Sequence, residues 1–178
     1  MRVLVALLTS AFPAFLLGGV NGAIIASKLI YRKDIRKFGS GNPGLTNFYR
    51  VFGKGGALLV VAIDVFKTVS PVLFGGWVFG RYFDMTMFGR VFSGFFVILG
   101  HCFPVFYKFK GGRGVMATGV VLIILDWRVA LISWGTFILI LLITKYVSLG
   151  SIIGAALFPP ALLFLNLGGF YEVIAAVG

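Results

Sequence analysis

Across 178 residues there is one cysteine, Cys102, one histidine, His101, and only five acidic residues. A lone cysteine leaves no internal disulfide and no cysteine-rich metal site. Around the lone histidine no metal-ligand cluster, Ser-His-Asp set or His-x-x-x-x-Asp acyltransferase motif can be assembled. Internal repeats and low-complexity tracts are missing as well. Apolar side chains fill the space: 60% of the residues are hydrophobic, 12% are charged, and the mean hydropathy is +1.05. That composition predicts an all-α, polytopic membrane bundle forming a single domain over residues 1–178.

Sixteen Lys and Arg against five acids give a formal net charge of +11. Nucleic-acid binding needs a solvated basic face, whereas these cations are split among short loops between apolar runs, so no nucleic-acid partner is expected. Their placement fits the positive-inside bias and contact with anionic membrane lipids. The start, MRVLVALLTSAFPAFLLGG, has one basic residue and an apolar core, but the run continues without an A-x-A cleavage site. It reads as a retained first helix.

Six spans are predicted, over 3–27, 55–80, 85–107, 115–125, 129–144 and 149–167. Lys28, Arg32, Lys33, Arg36, Lys37, Arg50 and Lys54 face one acid, Asp34, in the first long loop; Lys108, Lys110 and Arg113 face none in the second. Both loops are therefore expected on the cytoplasmic side, with the N-terminus outside and the sixth span carrying the chain back out. Segment 115–144 is expected to be two short helices, because one long helix would put Asp126 and Arg128 near the bilayer centre.

The first loop holds GSGNPGLTNFYR, residues 39–50. Gly39, Gly41 and Gly44 satisfy G-x-G-x-x-G, with Asp64 twenty residues beyond Gly44. No strand-like run precedes the glycines and Asp64 lies in an apolar helix, so the dinucleotide reading fails. The physical content remains: glycine backbone amides to wrap an anion, hydroxyls of Ser40 and Thr46, and the guanidinium of Arg50 one helical turn past Thr46. Thr46 or Asn47 is placed to cap the helix that starts here. An ordinary turn-rich loop is the competing explanation.

A second stretch shifts that balance. KFKGGRGVMAT, 108–118, again joins glycines (Gly111, Gly112, Gly114) to cations (Lys110, Arg113) ahead of an apolar helix on the same predicted side. Two such loops suggest two anionic groups held close together, as for substrates with phosphate in water and a tail in lipid. In KYVSLGSIIGA, Ser148 and Ser151 lie at i and i+3 on one helix face, where serines also serve helix packing. Asp64 and Lys67, likewise at i and i+3, form either a neutralising intramembrane pair or a functional one. His101 is open to two roles, a base near a substrate hydroxyl or a polar bond to a neighbouring helix.

At these residues the sequence resembles the bacterial membrane glycerol-3-phosphate acyltransferases that use acyl phosphate, the PlsY family. GSGNPGLTNFYRVFGK, DVFK, GHCFPVFYKFKGGRGV and KYVSLGSI occur in the family's order and cover nearly the whole chain. The resemblance implies transfer of an acyl chain from acyl phosphate to the 1-hydroxyl of glycerol 3-phosphate, without cofactor or metal, at the cytoplasmic face of the bacterial inner membrane. It implies that Ser40, Thr46, Asn47, Arg50, Lys110, Arg113 and Ser151 line the phosphate sites, together with backbone amides of Gly39 to Gly44 and Gly111 to Gly114. Ser40, Arg50 and Arg113 are expected to carry the reaction, with Asn42, Lys67, His101 and Ser148 also binding substrate. Arg113 stands where the family usually has lysine, Met116 interrupts its usual Gly-Val-Ala-Thr, and Thr68 replaces a common glycine. The family also has a seventh helix and a His-Arg-x-Asn type motif that this chain does not carry, which suggests an incomplete chain or a degenerate relative. The rival function is a non-catalytic binder or transporter of anionic lipids.

Overall fold

The computed structural model describes residues 1–158, 160, 161 and 165. Among the described residues every regular element is helical. Eight α-helices follow in order: α1 Arg2–Gly18, α2 Gly22–Tyr31, α3 Leu45–Phe52, α4 Ala57–Phe83, α5 Thr86–Cys102, α6 Val115–Leu125, α7 Trp127–Thr144 and α8 Val147–Ala156. Among the described residues four helical stretches are long and apolar enough to cross a membrane: Arg2–Tyr31, Ala57–Phe83, Thr86–Tyr107 and Trp127–Thr144. The chain is thus a multi-pass membrane protein. α6 and α8 are apolar but shorter. The end of the predicted sixth span, 149–167, and the outward course of the C-terminus lie outside the described residues.

The first span is interrupted, which corrects the reading of 3–27 as one helix. α1 stops at Gly18 and α2 restarts at Gly22, with Asn21 as N-cap accepting the Ile24 amide at 2.9 Å. A break inside an apolar run frees backbone groups that lipid cannot satisfy, so they need partners from the protein. Asp64 and Lys67 of α4 supply them: the Gly22 amide donates to Asp64 Oδ1 at 3.2 Å, and Lys67 Nζ donates to the Val20 carbonyl. Segment 115–144 is two helices, as expected. Asp126 caps α7 by accepting the Arg128 amide at 2.8 Å and pairs with the Arg128 guanidinium.

Helices α1, α4 and α5 pack mutually, α6 lies on α4 and α5, and α7 bridges α6 to α8. Membrane helices draw close through small residues. A Cβ at Gly18 would collide with the Val97 backbone, and one at Gly100 with the Phe15 carbonyl, so α1 and α5 touch backbone to backbone. α2 carries a separate core of Ala23, Ile24, Ala26, Ile35, Phe48 and Val60, which seats α3 against α2 and α4. Tyr31 fixes that seat: its ring stacks on Phe52 with centroids 4.2 Å apart, and its hydroxyl donates to the Gly55 carbonyl at 2.6 Å.

Replacing Gly100 with Val should force α1 from α5 and cost about 1–3 kcal/mol, read as a lower thermal midpoint in detergent. Gly135→Ala, where nothing stands within 4 Å of the added carbon, should be neutral or slightly stabilising. Equal loss in both would show that the α1–α5 crossing is not the tight one.

Candidate functional site

Loop 38–44 is closed by one buried amide side chain. Asn47 Oδ1 accepts the Ser40 amide at 2.9 Å, and Asn47 Nδ2 donates to the Phe38 carbonyl at 3.0 Å. The Gly41 amide donates to Phe38 and the Gly44 amide to Asn42. Gly39, at φ +58°, takes a left-handed conformation, and a Cβ there would strike Asn47. The loop's glycines therefore serve its own folding. The amides of Ser40, Gly41 and Gly44, expected to wrap an anion, are bonded within the loop. Asn47 and Thr46 do not cap α3 either: Gly44 is the N-cap, because Asn47 is occupied by the loop. The loop is tied to the helix break, where Asn21 Nδ2 donates to the Pro43 carbonyl at 2.9 Å.

What this leaves facing outward is one side of α3. Asn47 and Phe48 are buried, whereas Thr46 and Arg50 are exposed, one turn apart on the same side. Neither Arg50 nor the Thr46 hydroxyl bonds a protein group among the described residues. The amides of Leu45, Thr46 and Asn47 form the first turn of α3 and have no intrahelical acceptor.

The second loop folds in the same manner. The amides of Gly111 and Gly112 donate to the carbonyls of Cys102 and His101, at 3.2 and 3.1 Å. These two amides are thus bonded within the protein. Gly114, at φ +77°, is the N-cap of α6, and the amides of Val115, Met116 and Ala117 open that helix. Arg113 reaches across to α8, where its Nη1 donates to Ser148 Oγ at 2.8 Å. The two loops also touch directly, through the Arg36 guanidinium over the Tyr107 ring at 5.5 Å. Arg36 in turn holds the Asp34 carboxyl down at about 2, through its side-chain hydrogen bonds.

The expected convergence is present. A cavity of about 370 Å³ is lined by Ser40, Asn42, Gly44, Thr46, Asn47 and Arg50 from the first loop and α3, by Arg113 and Gly114 from the second, and by His101 and Asp64. Leu45, Val115, Met116, Trp134, Phe137, Leu141 and Val147 complete its wall. A second cleft, of about 160 Å³, shares Arg113, Val115, Trp134 and Phe137 with it. That cleft runs between α6, α7 and α8 past Leu122, Gly150, Ser151 and Gly154. The pair is thus a chamber bearing two arginines that shares part of its wall with an apolar slot.

Several expected site residues stand elsewhere. Lys67 is buried and does not line the chamber: its Nζ lies 2.8 Å from Asp64 Oδ1 and 2.8 Å from His101 Nδ1, and it bonds the Val20 carbonyl. The neutralising pair of the sequence reading is present, with the histidine joined to it. Lys110, Gly39, Gly41, Gly111 and Gly112 also lie off the chamber wall, and Ser151 lies in the apolar slot, where its hydroxyl donates to Val147. Sequence reading missed Asn21 and the α1–α2 break. Its signal was GGVNG, 18–22, an N-cap residue between glycines inside an apolar run. Among the described residues no group of three or more His, Cys, Asp or Glu is arranged to hold a metal ion.

The sequence model of the family described as glycerol-3-phosphate acyltransferase matches residues 8–178. The glycerol-3-phosphate acyltransferase of Ureaplasma urealyticum is 38% identical over 167 residues, covering 88% of this chain and 66% of that protein. The protein of the same description from Thermoanaerobacter pseudethanolicus is 40% identical over 149 residues, covering 84% of this chain and 72% of its own. The chain spans about two thirds, 64–66%, of the length of the Ureaplasma relatives. Among solved structures, the glycerol 3-phosphate form of PlsY (YgiH), an integral membrane glycerol 3-phosphate acyltransferase, superposes with a TM-score of 0.79 at 32% identity, over 95% of this chain and 83% of that one. Its lysophosphatidic acid form gives 0.74 at 33%, with the same coverage.

Asn47→Ala should strand the Ser40 amide and the Phe38 carbonyl, at a cost of about 1–3 kcal/mol. Hydrogen exchange at Ser40 should accelerate while α5 stays protected. Asn47→Asp keeps the acceptor and should leave Ser40 slower than in the alanine variant. Unchanged exchange in Asn47→Ala would remove Asn47 as the loop's clasp.

Proposed function

Since the chain belongs to the glycerol-3-phosphate acyltransferase family, we propose that it moves a fatty acyl chain from acyl phosphate to the 1-hydroxyl of glycerol 3-phosphate, giving lysophosphatidic acid and phosphate. The observation that carries this reading is the union of a cationic chamber with an apolar slot. Both substrates bring a phosphate and one brings a tail, so the two compartments match the two parts of the donor. Phosphates sit against Ser40, Thr46, Arg50 and Arg113 and the open first turns of α3 and α6, where amides and helix dipoles favour negative charge. The tail lies in the slot along Leu122, Phe137 and Gly150.

The chemistry is a direct displacement. The glycerol hydroxyl oxygen forms a bond to the acyl carbon, the carbon–oxygen bond to phosphate breaks, and the hydroxyl proton is balanced by the released phosphate. Phosphate is already a good leaving group, so positioning and charge neutralisation carry the rate, without a protein nucleophile. Arg50 suits this role because it is exposed, lines the chamber and bonds no protein group among the described residues. Arg113 lines the chamber while bonded to Ser148, and as a planar fork it grips a phosphate in two places where lysine offers a point charge. The excess of Lys and Arg in both loops supports a chamber on the cytoplasmic side of the bacterial inner membrane, within one membrane-embedded catalytic unit.

Purified protein given acyl phosphate and glycerol 3-phosphate should release phosphate and form lysophosphatidic acid in equal amounts. A folded protein that stays at the uncatalysed rate overturns the proposal in favour of an anionic-lipid binder. Arg50→Ala and Ser40→Ala should each lower kcat/KM by about two orders of magnitude with little change in thermal stability. Wild-type turnover in both variants sinks the assignment of the chamber.

A further inference from the structure

Lys67 makes three contacts, and an ammonium has three hydrogens and no lone pair. One points to Asp64 Oδ1, one to the Val20 carbonyl, and the third to His101 Nδ1. In that third contact Lys67 must donate and Nδ1 must accept. A neutral imidazole whose Nδ1 accepts carries its proton on Nε2. We propose that the Asp64–Lys67 pair locks His101 as the Nε2–H tautomer, so that the ring presents a neutral hydrogen-bond donor to a phosphoryl oxygen in the chamber; this rests on the proposed reaction only for the identity of that oxygen.

The surroundings of the ring support the assignment. His101 is 4% exposed yet lines the chamber. Gly112 packs against the Nε2 edge, where any side chain would collide with the ring. No protein acceptor bonds Nε2 among the described residues. The carboxylate and ammonium cancel, which suits an apolar bundle and leaves the imidazole uncharged. One role is thereby excluded: with Nδ1 held by Lys67 and Nε2 protonated, the ring has no lone pair turned to the chamber and cannot serve as a general base. Lys67 is a positioning residue that acts through His101, which answers why it is near the site but not in it.

Because His101 is the one histidine in the chain, nitrogen-15 histidine labelling of the whole protein in nanodiscs reports a single ring. Near neutral pH the expected spectrum has a directly protonated Nε2 and an unprotonated Nδ1. Glycerol 3-phosphate should shift the Nε2 proton downfield without changing the tautomer. Lys67→Met should turn the single tautomer into an exchanging mixture; if that variant does not fold, the wild-type spectrum decides alone. An Nδ1–H ring, a doubly protonated ring or a mixture in the wild type overturns the lock, and an Nε2 proton unmoved by saturating glycerol 3-phosphate overturns the donor role. A locked ring in a protein that forms no lysophosphatidic acid removes the proposed reaction and keeps the lock, whereas an active protein with the other tautomer does the reverse.

Discussion

The pairing of Asp64 with Lys67 across the interrupted first helix is the constraint on which the rest of the structure depends. A helix broken inside an apolar run exposes a carbonyl at the end of its first half and an amide at the start of its second, and each such group, if buried unmet, costs about 2–7 kcal/mol. Lys67 meets the Val20 carbonyl and Asp64 meets the Gly22 amide. The signs are also right for the two half-helix dipoles, with the cation at a C-terminal end and the anion at an N-terminal end. In reverse, the break gives the ion pair the extra hydrogen bonds that a buried pair needs to offset its desolvation. Break and pair therefore stand or fall together.

From that centre the order spreads outward to the chamber. Asn21, the residue at the break, caps α2 with its oxygen and holds Pro43 with its nitrogen, so the first loop hangs from the break. Asn47 then closes the loop on itself, and the aromatic stack of Tyr31 with Phe52 presses α3 into place. On the other side, Lys67 touches His101, whose carbonyl accepts the Gly112 amide of the second loop. Both loops are thus hung from one buried cluster, one through Asn21 and one through His101. Their separation is set by helix packing, the preorganisation that the proposed reaction calls for.

Much of this was legible in the sequence, and the part that was not has a common cause. Apolar runs marked α4, α5 and α7, Asp126 marked the α6–α7 turn, and the i, i+4 spacing of Thr46 and Arg50 placed them on one side of α3. Each is a local signal, written within a few residues. The break at Gly19–Asn21 was missed because its partners are 42 and 47 residues away in sequence. The internal bonding of the first loop was hidden for a similar reason: G-S-G-N-P-G shows that a backbone can bend, but not that Asn47 closes it by bonding the Ser40 amide and the Phe38 carbonyl. Open amides also lie at the starts of α3 and α6, directly after Gly44 and Gly114.

The walls of the chamber decide where the reacting bond of an acyl phosphate lies under the proposed reaction. Polar donors cluster on the side of α3 and the start of α6, while Trp134, Phe137 and Leu141 of α7 close the opposite side. Asp64 is the one carboxylate in the wall, and it is neutralised by Lys67 and bound by the Gly22 amide. The chamber thus offers cations and donors to an anion but no free ionised acceptor among the described residues. Arg113 and Val115 belong to both compartments, so a phosphate held by Arg113 has its acyl carbon at the mouth of the slot. The mixed anhydride then lies at the boundary between donors and apolar side chains, within reach of a second phosphate-bearing substrate from water. A separate headgroup site and tail site could not achieve this; a shared arginine and a shared valine at one helix start can.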